Sequence, residues 1–145
     1  MNFIPLEQWH IDLMPEKPLL MEDTRGITAI DDRGVQAVCV LDTWTATCCQ
    51  IHIWIHNPMV LRHGFAEEVF DFVFDSGRIK IIGQTPSDNA KALKFIKHIG
   101  FEELFIVKDA IDIGVDIVVT EFTKERYYGR QSLKDRSKKR RDSTV

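Results

Sequence analysis

Three cysteines are all the chain has in 145 residues, at Cys39, Cys48 and Cys49. An odd count with two adjacent gives neither a disulfide framework nor the spaced pairs of a structural metal site. It predicts a reducing, cytoplasmic setting. No apolar run approaches the roughly 20 residues that span a bilayer, so no membrane span is expected. Residues 1–7 carry neither a basic region nor an apolar stretch, so they do not read as a signal peptide. Internal repeats are absent as well, which excludes a solenoid. What is present is ordinary for a globular protein: 44% hydrophobic and 28% charged residues. The length suits one domain and leaves no room for two full cores.

Charge of one sign is scarce only on average. The formal net charge is -3, which by itself argues against a dedicated nucleic-acid binder. Residues 126–145 nevertheless hold 8 basic and 2 acidic residues, a net of +6, against 11 basic and 20 acidic in residues 1–125, a net of -9. Hydrophobic periodicity stops at Arg126. The division read from this is a folded domain over 1–125 and a basic, flexible tail over 126–145, removable without loss of the fold. The run Lys138-Lys139-Arg140-Arg141 reads either as a solvated end or as a weak contact for nucleic acid or an acidic protein.

Residues 1–25 look irregular, with Pro5, Pro15 and Pro18 and at most a short helix over 6–13. From Ile27 the pattern sharpens. Strands are expected at 27–31 and 35–41, joined by an Asp-Asp-Arg-Gly turn. Residues 48–56 alternate strictly, with Ile51, Ile53 and Ile55 on one face and Gln50, His52, Trp54 and His56 on the other. A helix follows over 62–75, then a short strand over 78–83 and a second helix from the Pro86–Asn89 cap to about His98, stopped by Gly100. Strands over 101–108 and 115–122 close the order β-β-β-α-β-α-β-β. The β-α-β crossover makes the third and fourth of these strands parallel. The fold class is α/β (α+β), a mixed, mostly antiparallel sheet flanked by helices.

Two stretches carry chemistry. Leu61-Arg62-His63-Gly64-Phe65-Ala66 joins a strand to a helix. Its small residues permit close backbone approach, and a helix start offers free N–H groups and a positive dipole end for an anion. Asn89-x-x-Ala92-x-x-Phe95-Ile96-x-x-x-Gly100-Phe101 is the second. Zinc is excluded at His52 and His56, which lie roughly 13 Å apart on a strand. Trp9, Trp44 and Trp54 are candidates to line a pocket, Trp54 above all.

The second stretch resembles the cofactor segment Asn-x-x-Ala-x-x-hydrophobic-Tyr-x-x-x-Gly-Phe of the GNAT superfamily of N-acetyltransferases. Gly64 and Ala66 fit that family's Gln/Arg-x-x-Gly-x-Gly/Ala segment, and the element order agrees over 27–122. The brevity and the stretch from Asn57 to Gly64 are similar to small phage-encoded members. The resemblance implies acetyl-CoA as acyl donor. Backbone N–H groups of Arg62, His63, Gly64, Phe65 and Ala66 would hold the pyrophosphate. Trp54, Ile55 and His56 would offer a strand edge to the pantetheine arm, with Phe95 and Asn89 beside it. An N–H near Ile55 would polarise the thioester carbonyl. The amine would attack directly, without an acyl-enzyme.

The departures from the family are specific. Ile96 stands where the proton-donating Tyr is usual, and Leu61 replaces Gln/Arg. Acidic residues are missing from the central strand, which leaves His52 or His56 as base. The N-terminal helical region that builds the acceptor pocket is reduced, so the acceptor side should be open. Two functions therefore stand side by side. One is an N-acetyltransferase acting on a metabolite or host-protein amine. The other is a catalytically degenerate GNAT-fold protein that binds a host or virion partner. A homodimer through the last strand pair is a further expectation.

Overall fold

The computed structural model describes residues 1–143, with side chains through residue 136. Seven strands form one sheet in the order β1-β2-β3-β4-β5-β7-β6. They are β1 (Asn2–Pro5), β2 (Arg25–Asp31), β3 (Gly34–Asp42), β4 (Cys48–Ile55), β5 (Lys80–Pro86), β6 (Glu102–Asp112) and β7 (Val115–Thr123). The helices are α1 (Gln8–Ile11), α2 (Phe65–Asp75), α3 (Ala90–Ile99) and α4 (Lys124–Ser143). Every pairing is antiparallel except β4 with β5. No described helix is long and apolar enough to cross a membrane.

β3 is covered on both faces, which is why Gln36 to Leu41 are buried without a break. Ala37, Cys39 and Leu41 pack towards α2 and α3. Val38 and Val40 pack against Ile11 and Met14 on the other side. β4 keeps the expected alternation: Cys49 and Ile51 enter the main core with Ile53 and Ile55 against it, while Trp54 joins the smaller cluster behind the sheet.

The β4–β5 ladder is short. It runs from Cys48 opposite Lys80 to Ile51 opposite Gly83 and then stops. β4 continues to Ile55 alongside β3, and β5 continues to Pro86 alongside β7. The two strands therefore splay apart in the middle of the sheet.

Several elements differ from the sequence reading. β1 was hidden by its four-residue length and by Pro5, which an edge strand tolerates. The helix expected over 62–75 is a 3₁₀ turn at Pro58–Leu61 followed by α2 from Phe65. Gly64, at φ 86°, breaks the two apart in a left-handed conformation that other residues avoid. β6 runs on to Asp112, and all eleven of its residues are exposed, including the apolar stretch Leu104 to Val107.

The tail boundary at Arg126 also moves. α4 begins at Lys124, and Tyr127 is buried in a ring cluster with Phe70, Phe74 and Phe122, at centroid distances of 5.4, 5.6 and 6.0 Å. The first basic residues of the supposed tail are structural. Arg126 Nε donates to the Gly100 carbonyl at 2.7 Å, and its guanidinium pairs with Glu102. Arg130 donates to the carbonyls of Ile99 and His98. Both cations thus sit at the negative end of α3 and satisfy its open carbonyls. The side chains of Lys138-Lys139-Arg140-Arg141 lie outside the described residues.

Candidate functional site

The splay opens a cleft of about 530 Å³. Because β4 alternates, the cleft has two unlike sides. Ile51, Ile53 and Ile55 face α3, where Asn89, Ala92, Phe95 and Ile96 form the opposite wall. His52, Trp54 and His56 belong to the other face of the sheet, together with Met14, Glu16, Lys17 and Pro18. One side is apolar and the other carries titratable groups.

Ladder parity fixes where the β4 amides point. The His56 N–H donates to the Gln36 carbonyl at 2.9 Å. Antiparallel partners alternate between bonded and non-bonded pairs, so the amides of Ile53 and Ile55 turn away from β3. Beyond Gly83 no β5 partner meets them. These two N–H groups face the cleft.

Asn89 is the N-cap of α3. Its Oδ1 accepts from the Ala92 N–H at 3.1 Å, leaving the side-chain NH₂ free to donate. Gly100 closes the helix at φ 121°, where a Cβ would collide with Phe122. The spacing from Asn89 to Gly100 is thus a capped helix that also lines the cleft.

The loop before α2 is less open than the sequence suggests. The N–H groups of Arg62, His63 and Gly64 donate to the carbonyls of Met59, Val60 and Leu61 at 3.1, 3.1 and 3.2 Å. They are therefore not available to an anion, because the 3₁₀ turn begun by Pro58 consumes them. Among the described residues the N–H groups of Phe65, Ala66 and Glu67 have no acceptor. The Phe65 side chain is fully buried against Phe3, so it offers only its backbone. Glu67 and Glu68 already place negative charge at this dipole end. None of Arg62, His63, Gly64, Phe65 and Ala66 lines the main cleft. Ala66 and Glu67 line a separate cavity of about 160 Å³ under α4, with Lys134 at 3.2 Å from the Glu67 carboxylate.

His52 has a partner that the sequence reading missed. Its Nε2 lies 3.0 Å from Asp42 Oδ2 across the β3–β4 ladder. The 14–18 segment was missed too, because it has no periodicity to read, and so were Gln84 and Lys91 on the cleft wall. Of the three tryptophans only Trp54 reaches the cleft. Trp44 meets Phe72 edge to face and lies under Arg78, and Trp9 is half exposed with its N–H donating to Glu7.

No family model matches the sequence, and no curated protein does. Solved structures do. The chain is similar to spermidine/spermine N-acetyltransferase SpeG from Vibrio cholerae, solved with manganese ions, at 15% identity and TM-score 0.65 over 89% of this chain and 95% of that one. It is similar to smu.2055 from Streptococcus mutans at 13% identity and TM-score 0.65, covering 85% and 99%. A protein assigned to the GNAT family of acetyltransferases from Desulfovibrio desulfuricans matches at 16% identity and TM-score 0.62, covering 70% and 69%. With its splayed parallel pair in a mostly antiparallel sheet, the chain has the fold of the GNAT acetyltransferases.

Proposed function

We propose that the protein is an N-acetyltransferase that moves an acetyl group from acetyl-CoA to an amine by direct attack. One observation carries the reading: the β4 amides of Ile53 and Ile55 face a cleft whose far wall is Asn89 and Phe95. Two unpaired amides in a row suit an extended ligand with its own amide groups, which is the chemistry of a pantetheine arm. The same amides are placed to stabilise negative charge on a thioester oxygen. The pyrophosphate would rest on the free N–H groups of Phe65, Ala66 and Glu67, helped by the exposed side chains of Arg62 and His63. The acceptor would enter on the side of His52, Trp54 and His56. Leu19, Leu20 and Met21 stand exposed next to the 14–18 segment, and this apolar rim suits an amine carried on a polypeptide, such as a host protein.

Calorimetry with acetyl-CoA tests this. Binding is expected, and Asn89→Ala should weaken it. No heat at millimolar acetyl-CoA would sink the reading.

A second reading has its own observation. Ile96 lines the cleft but offers no proton, and both tyrosines, Tyr127 and Tyr128, lie on α4 away from the cleft wall. A GNAT-fold module that binds acetyl-CoA or a host or virion partner without turnover is consistent with that loss. Acetyl-CoA that binds, yet is never transferred across a panel of amines, would favour it.

A further inference from the structure

We infer that Asp42 is the positioning residue for His52, and that this pair, not His56, accepts the proton of the attacking amine. The inference rests on the acetyltransferase reading above. His52 is the first residue past the last parallel rung, Ile51 opposite Gly83, so it stands at the crotch where the cleft begins. His56 lies four residues further on, roughly 13 Å along the strand. Its ring has Trp54 as neighbour at 5.5 Å and no carboxylate partner among the described residues.

The Asp42 carboxylate can only accept. It therefore draws the imidazole hydrogen to Nε2 of His52, at 3.0 Å. Nδ1 is left with its lone pair and has no hydrogen-bond partner among the described residues. Asp42 is well covered, at 14% side-chain exposure against 40% for His52, so the carboxylate is held while the ring stays accessible. Such a pair fixes tautomer and ring orientation and offsets the charge of the imidazolium once formed. The other charged groups at this cleft are Glu16 and Lys17 from the 14–18 segment, Lys91 from α3, and His56 on the same strand.

Nδ1 of His52 takes one proton from the ammonium form of the acceptor. The freed nitrogen lone pair forms the N–C bond to the thioester carbonyl carbon, and the C–S electron pair leaves with sulfur. The second nitrogen proton passes to the thiolate, giving free thiol and amide. His52 returns its proton to solvent.

Two readouts separate this inference from the reading beneath it. Nitrogen-15 NMR of the imidazoles in the full chain, at pH 8 without ligand, should find His52 as the Nε2–H tautomer, becoming a mixture in Asp42→Asn. A mixture already in the wild type overturns the pairing, whatever the activity. Turnover is then followed with acetyl-CoA and spermidine as probe amine. His52→Ala should lose about 100-fold in kcat. Asp42→Asn should lose about tenfold or more with an unchanged KM for acetyl-CoA, the double variant should be no worse than His52→Ala, and Asp42→Glu should recover part of the loss. Turnover unaltered in Asp42→Asn overturns the inference and leaves the acetyltransferase standing. Absence of acetyl-CoA binding in the wild type overturns both.

Discussion

Ile51 faces Gly83 in the last rung of the β4–β5 ladder, and the sheet parts immediately beyond them. Gly83 is a glycine for a packing reason. A Cβ there would stand 2.8 Å from Thr120 Oγ1 on β7 and in contact with Phe101. Gly83→Ala should therefore cost about 1–3 kcal/mol, typical of overpacking, read as a lower urea midpoint with an unchanged slope. A neutral substitution would mean that Thr120 yields freely and that the crotch is looser than its geometry implies.

Tyr127→Ala should be among the most destabilising single changes. The ring is 4% exposed, packs on three phenylalanines and donates from its hydroxyl to Asp71 at 2.8 Å. Burial first, and then the Asp71 carboxylate, hold the phenol well above its ordinary range, so it keeps its proton and the bond. Loss of the ring should cost about 3–5 kcal/mol. A chain cut after Thr123 should melt far below one cut after Arg136. Equal melting of the two would return α4 to the status of a tail.

Acid should weaken the fold through His10. Its side chain is fully buried, and Nδ1 accepts from the Glu7 N–H at 2.9 Å. Burial lowers its pKa, with the Glu7 carboxylate pulling weakly the other way. The unfolded chain then binds the proton first as pH falls through about 6.5, so stability declines from there until the folded value is passed. Above that window His10 contributes no slope. Urea titrations at pH 7 and 5.5 should show a smaller loss for His10→Gln than for the wild type. An equal loss would shift the cause to other groups.

The three thiols should separate cleanly. Cys39 and Cys49 are buried, and burial, with the neighbouring Cys48 adding to it, pushes the Cys49 thiol up to about 12. Cys48 is partly exposed. A maleimide at pH 7.5 should label one thiol quickly and the other two only as fast as the chain opens. Three equal rates would contradict the packing of β3 and β4.

The parts of this fold that were legible in the sequence are those encoded locally. Alternation along β4 put the right residues on each side of the cleft, and the cap and stop at Asn89 and Gly100 bounded α3. What was hidden depends on chain segments meeting. Asp42 and His52 are ten residues apart, and only the β3–β4 register makes them neighbours. The 14–18 segment carries no period. α4 was masked by its charge, since its apolar anchor is a single tyrosine and two of its arginines serve as caps for another helix. The 3₁₀ turn did leave a signal in Asn57-Pro58: Asn57 Oδ1 accepts the Met59 N–H at 3.0 Å, marking a helical start four residues earlier than the expected one at 62.

The ring cluster around Phe122 has a consequence for synthesis. Its members enter the chain at Phe70, Phe74, Phe101, Phe122 and finally Tyr127. A ribosome has therefore made all four phenylalanines before the last ring is available. Until Tyr127 leaves the exit tunnel, the nascent chain carries an unfinished core with its phenylalanines uncovered. Closure of this core waits on the synthesis of α4, and a chaperone that meets the chain before then finds those rings open.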